Sequence, residues 1–312
     1  MKLPVLYGDL MHYDNSISLY DNKGNDTLWE SVIYSPSDMR DLNKSLTMIY
    51  ALLKAEGEIS VMEHLTVDRI DYCTFGNSNP FRVRIINQIN DNYDYFYVKK
   101  ADASRLYGLE LEHILSPNHI NYLVYNDTLI EEHIAGIPGD QFIKDYIDYG
   151  KINKVRLAKE FVKFNERCFA RLLGDMRAYN YVVDITPDFD EVQYRIRAID
   201  FDQQCYEGKK SLYLPQFFKD NYPFVELCMD LLPQETVLQY QKEERALIRK
   251  RLLSSKYRMK DLIDAMRLGG VSPKDKVSLL KKELGDHHKS GAFKKCQNMG
   301  DIVRVNLKMV LS

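Results

Sequence analysis

One stretch of the chain, residues 172–204, constrains its fold more than any other. Two short apolar runs, at residues 181–185 and 192–199, flank a polar segment that contains Pro187. Proline and aspartate between two runs of β-forming residues are typical of a turn, so the stretch predicts a strand, a turn and a second strand. In such a hairpin, the start of the first strand and the end of the second lie side by side.

Three oxygen-bearing side chains meet at that end of the predicted hairpin. Asn180 begins the first strand, Asp200 ends the second, and Asp175 lies on the preceding loop, five residues before Asn180. A carboxylate and an amide oxygen at neighbouring strand ends are ligands that suit Mg²⁺, with phosphates and water completing its octahedron. A separate carboxylate can orient or deprotonate a hydroxyl. These are the groups that phosphoryl transfer needs.

The spacing of these residues resembles the protein-kinase-like superfamily. In that family a catalytic loop of the form His-x-Asp is followed after four residues by Asn, and an Asp-Phe-Gly motif lies one strand later. Asp175 and Asn180 keep the first spacing, and Asp200 with Phe201 keeps the first two residues of the second motif. The resemblance implies that Asp175 is the catalytic base and that Asn180 and Asp200 hold Mg²⁺ beside bound ATP.

Two positions depart from the family pattern. Leu173 stands where the family has His, whose role is mainly to orient the loop, and Asp202 stands where the family has Gly. Gly174 before Asp175 is similar to the His-Gly-Asp of the aminoglycoside-phosphotransferase and bacterial toxin-kinase branches. Asp202 resembles the small-molecule branch and is a candidate further metal ligand. The chain therefore resembles a divergent member of the superfamily.

The composition fits a folded protein of two lobes and disfavours several classes of partner. Of 312 residues, 45% are hydrophobic and 28% are charged, and the net charge is −2. No bulk positive field favours nucleic acid, and no apolar run approaches the length of a membrane span. Five cysteines lie far apart, and the N-terminus lacks the apolar core of a signal peptide. We therefore expect a cytoplasmic protein with reduced thiols and no nucleic-acid or membrane partner.

Residues 66–136 are predicted to form a small antiparallel lobe. Runs of β-branched and aromatic residues, separated by turns rich in Asn, Asp and Gly, predict strands, and one run predicts a helix that Pro117 ends. This order resembles the small lobe of the kinase-like family. The predicted strands are 67–75, 81–89, 93–98, 120–125 and 128–134, and the predicted helix is 103–116.

The resemblance implies ATP-binding roles within this lobe. The loop that contains Gly76, Asn77 and Ser78 would lie over the phosphates, with backbone N–H groups and the serine hydroxyl donating to them. Lys99, at the end of the third strand, would hold the α- and β-phosphates. Strand alternation lets only one of Lys99 and Lys100 face inward, and the motif alignment favours Lys99.

Two glutamates on the predicted helix compete for the role of holding Lys99. Glu110 and Glu112 are two residues apart, so they point about 200° apart and only one can take this role. Glu110 lies on the side of Leu106 and Ile114, which we expect to be buried. The prediction is therefore that Glu110 pairs with Lys99 and that Glu112 is solvated, with Glu112 remaining the alternative.

The last strand of the small lobe continues into a stretch that resembles the hinge of aminoglycoside-phosphotransferase-like kinases. The backbone of Glu132, His133 and Ile134 would bind adenine there, and the lobe boundary would fall near Gly136. Backbone recognition of this kind leaves no signature in the side chains.

The chain is thus predicted to be an α+β protein with a two-lobed protein-kinase-like fold. Residues 1–65 form an N-terminal extension with one helix, residues 66–136 the small antiparallel-sheet lobe, and residues 137–312 a mainly helical lobe. Residues 206–223 lack periodicity and stand where kinases have their activation segment. The helices predicted in the large lobe are 154–172, 237–253, 259–268, 272–284 and 302–311.

Three functions remain open at this point. The first is an ATP- and Mg²⁺-dependent phosphotransferase that acts on an unknown small-molecule or protein hydroxyl. The second is a catalytically impaired pseudokinase that binds nucleotide or acts as a scaffold, an alternative motivated by Leu173 and the glycine-poor loop. The third is a nucleotidyl transferase that moves AMP on the same fold. The retained Asp175, Asn180, Asp200 and Lys99 favour an enzyme.

Overall fold

The computed structural model describes residues 2–54, 63–75, 78–148, 150, 152–188 and 191–312. The chain divides into two compact units, each with its own core. The first unit consists of Met1–Asp102 and Ile120–His133, and the second of Ala103–His119 and Ile134–Ser312. The division after His133 lies close to the predicted boundary at Gly136. The helix that was predicted inside the small lobe, however, belongs to the second unit.

The first unit contains seven strands that form one antiparallel sheet. The strands are β1 (Asn15–Tyr20), β2 (Asp26–Ile33), β3 (Leu65–Cys73), β4 (Phe81–Asn87), β5 (Tyr93–Lys100), β6 (Tyr122–Tyr125) and β7 (Thr128–Glu132). Their order in the sheet is β1-β2-β3-β4-β5-β7-β6. The five strands that were predicted for the small lobe are all present, with ends within a few residues of the prediction.

The predicted N-terminal extension is part of this sheet. β2 pairs with β3, with Trp29 opposite Cys73 and Ser31 opposite Asp71. The extension therefore contributes β1 and β2 as well as two helices, α1 (Tyr7–Leu10) and α2 (Pro36–Lys54), where one helix was expected. The two strands were not predicted because their apolar runs are short, and in the structure β1 has no buried residue and β2 has one.

Helix α2 packs on the sheet through one apolar stripe. Leu42, Leu46, Ile49 and Leu53 recur at helical spacing, and all four are buried in the core of the first unit. The sheet contributes alternate residues to the same core, as Phe96 and others on β5 illustrate. This alternation leaves the other side chains of β5, Lys99 among them, on the opposite face.

The second unit is mainly helical. Its elements are α3 (Ala103–Leu115), β8 (Ile137–Pro138), α4 (Gly139–Asp145), α5 (Lys154–Arg171), β9 (Tyr181–Asp188), β10 (Glu191–Ala198), α6 (Tyr222–Leu231), α7 (Gln234–Ser254), α8 (Lys256–Leu268), α9 (Lys274–His287) and α10 (Met299–Val310). A three-stranded sheet of order β10-β9-β8 carries the predicted hairpin, in which Ala198 pairs with Tyr181.

The fold class predicted from the sequence is confirmed. The protein is α+β, with an antiparallel sheet in its N-terminal region and helices in its C-terminal region, an order consistent with a two-lobed kinase-like fold. Helix α6 was missed, as were short 3₁₀ turns within residues 210–221, where aromatic and proline residues hide any periodicity. None of the described helices combines the length and the apolar character that crossing a membrane requires.

Candidate active site

The predicted catalytic loop begins where α5 ends. Leu172 caps the helix in the left-handed conformation, with φ of 57°, and its N–H donates to the carbonyl groups of the last helical turn. Asp175 also has a positive φ, 55°, which is uncommon for a residue with a side chain and which aspartate tolerates better than most. Gly174, just before Asp175, lies in a tight position, because a Cβ there would lie 3.0 Å from the carbonyl oxygen of Gln203 and the neighbouring backbone would have to shift slightly.

Asn180 bonds the predicted base directly. Its side-chain nitrogen donates to the carbonyl oxygen of Asp175 at 2.7 Å and lies 3.5 Å from the carboxylate oxygen Oδ2. The N–H of Ile199 donates to the carbonyl oxygen of Asn180 at 3.0 Å, so the residue before Asp200 is fixed to the start of β9. The loop and the hairpin thereby bring Asp175, Asn180 and Asp200 to one end of β9 and β10.

Arg177 is a residue of this loop that the sequence analysis missed. Its Nε donates to Oδ1 of Asp175 at 2.9 Å, and this bond, together with the charges of Asp175 and Asp220, raises the pKa of Arg177 against the opposing effect of burial. The Arg177 guanidinium lies over the ring of Phe218. The signal was available, because Arg177 is the one cationic residue between Asp175 and Asn180. It can hold the carboxylate in place and attract an anionic substrate.

A second missed residue, Arg105 on α3, faces the two aspartates of the Asp-Phe-Asp segment. Its Nη2 lies 3.9 Å from Oδ1 of Asp200 and 3.7 Å from Oδ2 of Asp202. The Arg105 side chain is 7% exposed, while those of Asp200 and Asp202 are 32% and 20% exposed. The N–H of Asp202 also donates to Oδ1 of Asp200. A buried cation thus already stands beside the carboxylates that were predicted to bind a metal ion.

The donor set fits a hard divalent cation. Asp200 and Asp202 offer carboxylate oxygens, and Asn180 offers an amide oxygen, which is the chemistry that Mg²⁺ prefers over nitrogen or sulfur ligands. The guanidinium of Arg105 supplies a positive charge beside the same two carboxylates. Within the described residues, no group of three or more His, Cys, Asp or Glu side chains is arranged as a metal site, and the predicted set has only two carboxylates.

One face of α3 contacts the whole Asp-Phe-Asp segment and the end of α5. Arg105 faces Asp200 and Asp202, as described. Gly108, one turn later, packs so closely on Phe201 that a Cβ at position 108 would lie 2.7 Å from the Phe201 Cβ. Glu112, a further turn on, forms a fully buried ion pair with Arg171, the last residue of α5.

The predicted environments of Glu110 and Glu112 are reversed in the structure. Glu112 was expected to be solvated, yet it is 2% exposed. Glu110 was expected to lie on a buried side, yet its side chain is 26% exposed and accepts two hydrogen bonds from Arg258 at 2.8 Å each. Ile114 is buried as expected, but Leu106 is only partly buried, and the face of α3 that carries Gly108 and Glu112 is buried instead of the side of Glu110.

Lys99 lies in the first unit, on β5, as predicted. Its Nζ donates to Oε2 of Glu131 at 2.6 Å, and the two side chains are 11% and 7% exposed. Glu131 stands opposite Tyr97 on the neighbouring strand β7, so the pair is a diagonal cross-strand contact. No pattern in the sequence indicated Glu131 as the partner of Lys99. The predicted pairing of Lys99 with Glu110 joins residues of different units and stays a prediction.

The structure gives positions and contacts for some of the remaining predicted nucleotide-binding residues. Gly76 and Asn77 lie outside the described residues, and Ser78 is a partly buried loop residue. The N–H of Glu132 donates to the carbonyl of Asn121, and the N–H of His133 to that of Tyr95. Adenine could use these two N–H groups only by replacing sheet hydrogen bonds.

The side chains of the predicted hinge residues make contacts of their own. The Glu132 carboxylate forms an ion pair with Lys54 at 3.0 Å and accepts a hydrogen bond from the Asn121 N–H. Burial lowers the pKa of His133, and its Nδ1 lies 3.2 Å from the hydroxyl of Tyr97. Ile134, the third predicted hinge residue, is buried and belongs to the second unit.

No protein-family model matches the chain, and no curated protein matches it. Two similar solved structures are the autoinhibited serine kinase domain of the giant muscle protein titin, and titin kinase with its flanking domains. The first is 12% identical with a TM-score of 0.30, covering 78% of this chain and 92% of that one. The second is 12% identical with a TM-score of 0.31, covering 78% and 54%. Similarity this low assigns no role to any residue, and the kinase-like description of the chain rests on the order of its own elements.

Proposed function

We propose that the protein is an ATP- and Mg²⁺-dependent phosphotransferase that acts on a hydroxyl acceptor. One observation carries the proposal: Asn180 bonds Asp175 at one end of a hairpin whose other strand leads directly into Asp200. A base and metal-binding oxygens are thus held on one rigid support, which is what positioning a nucleophile against a phosphoryl group requires.

The residues of the second unit have separate tasks in this proposal. Asp175 accepts the proton of the acceptor hydroxyl. The hydroxyl oxygen bonds to the γ-phosphorus of ATP, and the bond from that phosphorus to the β–γ bridging oxygen breaks to release ADP. Arg177 holds the Asp175 carboxylate in orientation through the 2.9 Å hydrogen bond. Asn180, Asp200 and Asp202 would hold Mg²⁺, which supplies charge neutralisation to the phosphates when bound.

The residues of the first unit would bind the nucleotide. Lys99 would hold the α- and β-phosphates, and the Glu131 carboxylate beside it would fix the direction of the ammonium group. The loop of Gly76, Asn77 and Ser78 would cover the phosphates. This part of the proposal rests on the family resemblance and on the position of Lys99 at the end of β5.

The second candidate function is a nucleotide-binding or scaffold pseudokinase. Leu173, at the position of the family His, is fully buried and pairs through its backbone with Gln204, so it cannot orient the loop by a polar contact. Arg105 also places positive charge beside the two carboxylates that a catalyst would use to hold Mg²⁺. These observations favour a site that binds nucleotide with little or no turnover.

The test is a thermal-shift titration with ATP, with and without Mg²⁺, on the wild type, Asp200→Asn and the control Asp148→Asn. Asp148 is an exposed carboxylate paired with Lys154, so the control removes the same charge outside the site. We expect a Mg²⁺-dependent rise in melting temperature that Asp200→Asn abolishes and the control retains, because a ligand stabilises the state that binds it. Absence of any ATP-dependent shift in the wild type would refute the proposal.

Turnover then separates the candidate activities. A phosphotransferase adds the mass of one phosphoryl group to the acceptor and loses turnover in Asp175→Asn while retaining the ATP-dependent thermal shift. A nucleotidyl transferase adds AMP instead. A nucleotide-binding pseudokinase shows the ATP-dependent thermal shift in the wild type and in Asp175→Asn, and it transfers no group in either protein.

A further inference from the structure

Three helices of the second unit, α7, α8 and α10, line a groove with a volume of about 500 Å³. Its floor is apolar and includes Met259, Ile263 and Leu307, all of them buried. Leu253 of α7 also lines the groove, and it is 61% exposed. Leu253 therefore extends the apolar floor towards solvent, and the groove offers apolar contact area to a ligand.

The sides of this groove are strongly basic. Five lysine and arginine side chains line it without an ion pair to any other described residue: Arg249, Lys256, Lys260, Arg304 and Lys308. Asp264, a carboxylate in the lining, is bonded at 2.8 Å to Arg267, which also bonds Asp301. The five charges are therefore not compensated locally, on a chain whose net charge is −2.

The spacing of these charges is regular. Lys256 and Lys260 are four residues apart on α8, and Arg304 and Lys308 are four residues apart on α10. Residues four apart lie about one turn apart on the same side of a helix, so each helix presents two cations at a separation close to the helical pitch of about 5.4 Å. A partner with carboxylates at the same repeat would match both pairs.

We propose that this groove binds an acidic amphipathic helix of a partner protein. The apolar stripe of such a helix would lie on Met259, Ile263 and Leu307, and aspartates or glutamates four residues apart on its flanks would face the cations of α8 and α10. One helix in the groove would make both the apolar contacts with the floor and the ion pairs with the cations. This inference does not depend on the phosphotransferase proposal, because it uses none of the residues of that site.

The experiment is a fluorescence-anisotropy titration of the full chain with a labelled peptide of about 18 residues, or five helical turns. The peptide carries leucines at helical spacing on one face and glutamates at four-residue spacing on both flanks. A second peptide has lysine at every glutamate position. We expect the acidic peptide to bind saturably and to gain helicity, and the basic peptide not to bind.

Variants of the groove residues test whether the acidic peptide binds in the groove. Lys260→Glu combined with Arg304→Glu should weaken binding of the acidic peptide by about tenfold or more, because both flanks lose attraction and gain repulsion. The matched control, Lys281→Glu combined with Lys282→Glu, makes the same charge change on α9 and should change binding by less than about twofold. Leu253→Ser should also weaken binding, without any change in charge.

Three outcomes would overturn the inference. Equal loss in the groove variant and the α9 control would show binding to net charge rather than to the groove. Failure of the acidic peptide to bind the wild type would exclude the proposed partner class. Binding of the wild type to phosphatidylserine vesicles, lost in the groove variant while the peptide does not bind, would assign the groove to an anionic membrane surface.

Discussion

Glu110 and Glu112 lie two residues apart on α3, and the structure gives them opposite environments. Glu112 and its partner Arg171 are each 2% exposed, so the pair is removed from water. Glu110 and its partner Arg258 are 26% and 47% exposed, so the pair is surrounded by solvent. Two glutamates on one helix thus form one buried and one exposed ion pair, because a rotation of about 200° around the helix axis separates their side chains.

The comparison teaches that the inner face of α3 is the face that supports the candidate site. Arg105, Gly108 and Glu112 lie on it and contact the Asp-Phe-Asp segment and the end of α5. The Arg171 guanidinium also lies over the ring of Phe201. Burial lowers the pKa of Arg171 to about 9, because removal from water disfavours its charged form, and the electrostatic interaction with Cys205 opposes this effect. The buried pair is thus costly to break.

The largest effect is expected from Arg171→Met. The variant leaves the Glu112 carboxylate buried without its cation, and losses of this kind are about 3–5 kcal/mol of unfolding free energy. Urea denaturation followed by far-UV circular dichroism measures the loss.

A double variant, Arg171→Met with Glu112→Leu, tests the cause of that loss. Replacing both charges by apolar groups of similar size should recover most of the stability, because no unpaired buried charge remains. A double variant as unstable as Arg171→Met alone would mean that the arginine acts through packing and not through the ion pair.

The next effect is expected from Gly108→Ala on the same inner face. The added methyl would lie 2.7 Å from the Cβ of Phe201, and overpacking of this kind costs about 1–3 kcal/mol. The higher helix propensity of alanine offsets up to about 1 kcal/mol of that cost. Thermal or urea denaturation measures the net change.

Gly285→Ala is the matched control for Gly108→Ala. Gly285 is also helical, in α9, but a Cβ there would make only an ordinary contact of 3.4 Å with the carbonyl of Ser290. We expect it to leave stability unchanged or to raise it. A stabilising Gly108→Ala would show that α3 can move away from Phe201, which would weaken the contrast between the two faces.

A smaller effect is expected from Arg105→Gln, which tests whether the inner face also controls cation binding and rests on the proposed function. Removing a positive charge within 4 Å of both carboxylates should favour Mg²⁺ there. The Mg²⁺ concentration at the midpoint of the ATP-dependent thermal shift should fall by about tenfold, which is about 1.4 kcal/mol.

The control for Arg105→Gln is Arg195→Gln, an exposed residue of β10 that removes the same charge. It should leave the midpoint unchanged. A higher midpoint in Arg105→Gln would mean that the guanidinium binds phosphate together with the metal ion instead of competing with it.

Sequence patterns predicted those parts of the fold and site that depend on residues close in the chain. The hairpin of β9 and β10 follows from two apolar runs and a turn, and it alone brings Asn180 beside Asp200. Asp175 was predicted for the same reason, because only four residues separate it from Asn180. The helices of the second unit were predicted where their apolar repeats are long, as in α5.

The rest depends on contacts between residues distant in the chain, or on strands with little burial. Glu131 as a partner of Lys99 requires the pairing of β5 with β7, and Arg105 beside Asp200 requires the packing of α3. Neither contact leaves a local pattern. In the exposed strand β1, only Ile17 and Leu19 alternate with serines, a pattern too short to indicate a strand, so the sheet extends further than the sequence indicated.

The smallest effect is expected from Arg258→Ala. Arg258 lies on α8 and pairs with Glu110 on the exposed side of α3, which we call its outer face. The ion pair with Glu110 has two hydrogen bonds of 2.8 Å, but an exposed pair contributes about 1 kcal/mol or less, because water and salt screen its charges. The loss should shrink further in about 1 M salt, where the Debye length is about 3 Å. Urea denaturation at low and high salt measures it, and Arg171→Met measured beside it should show no such salt dependence. If Arg258→Ala cost as much as Arg171→Met, exposure would not be what separates the two glutamates, and the outer face of α3 would have to be counted among the supports of the site.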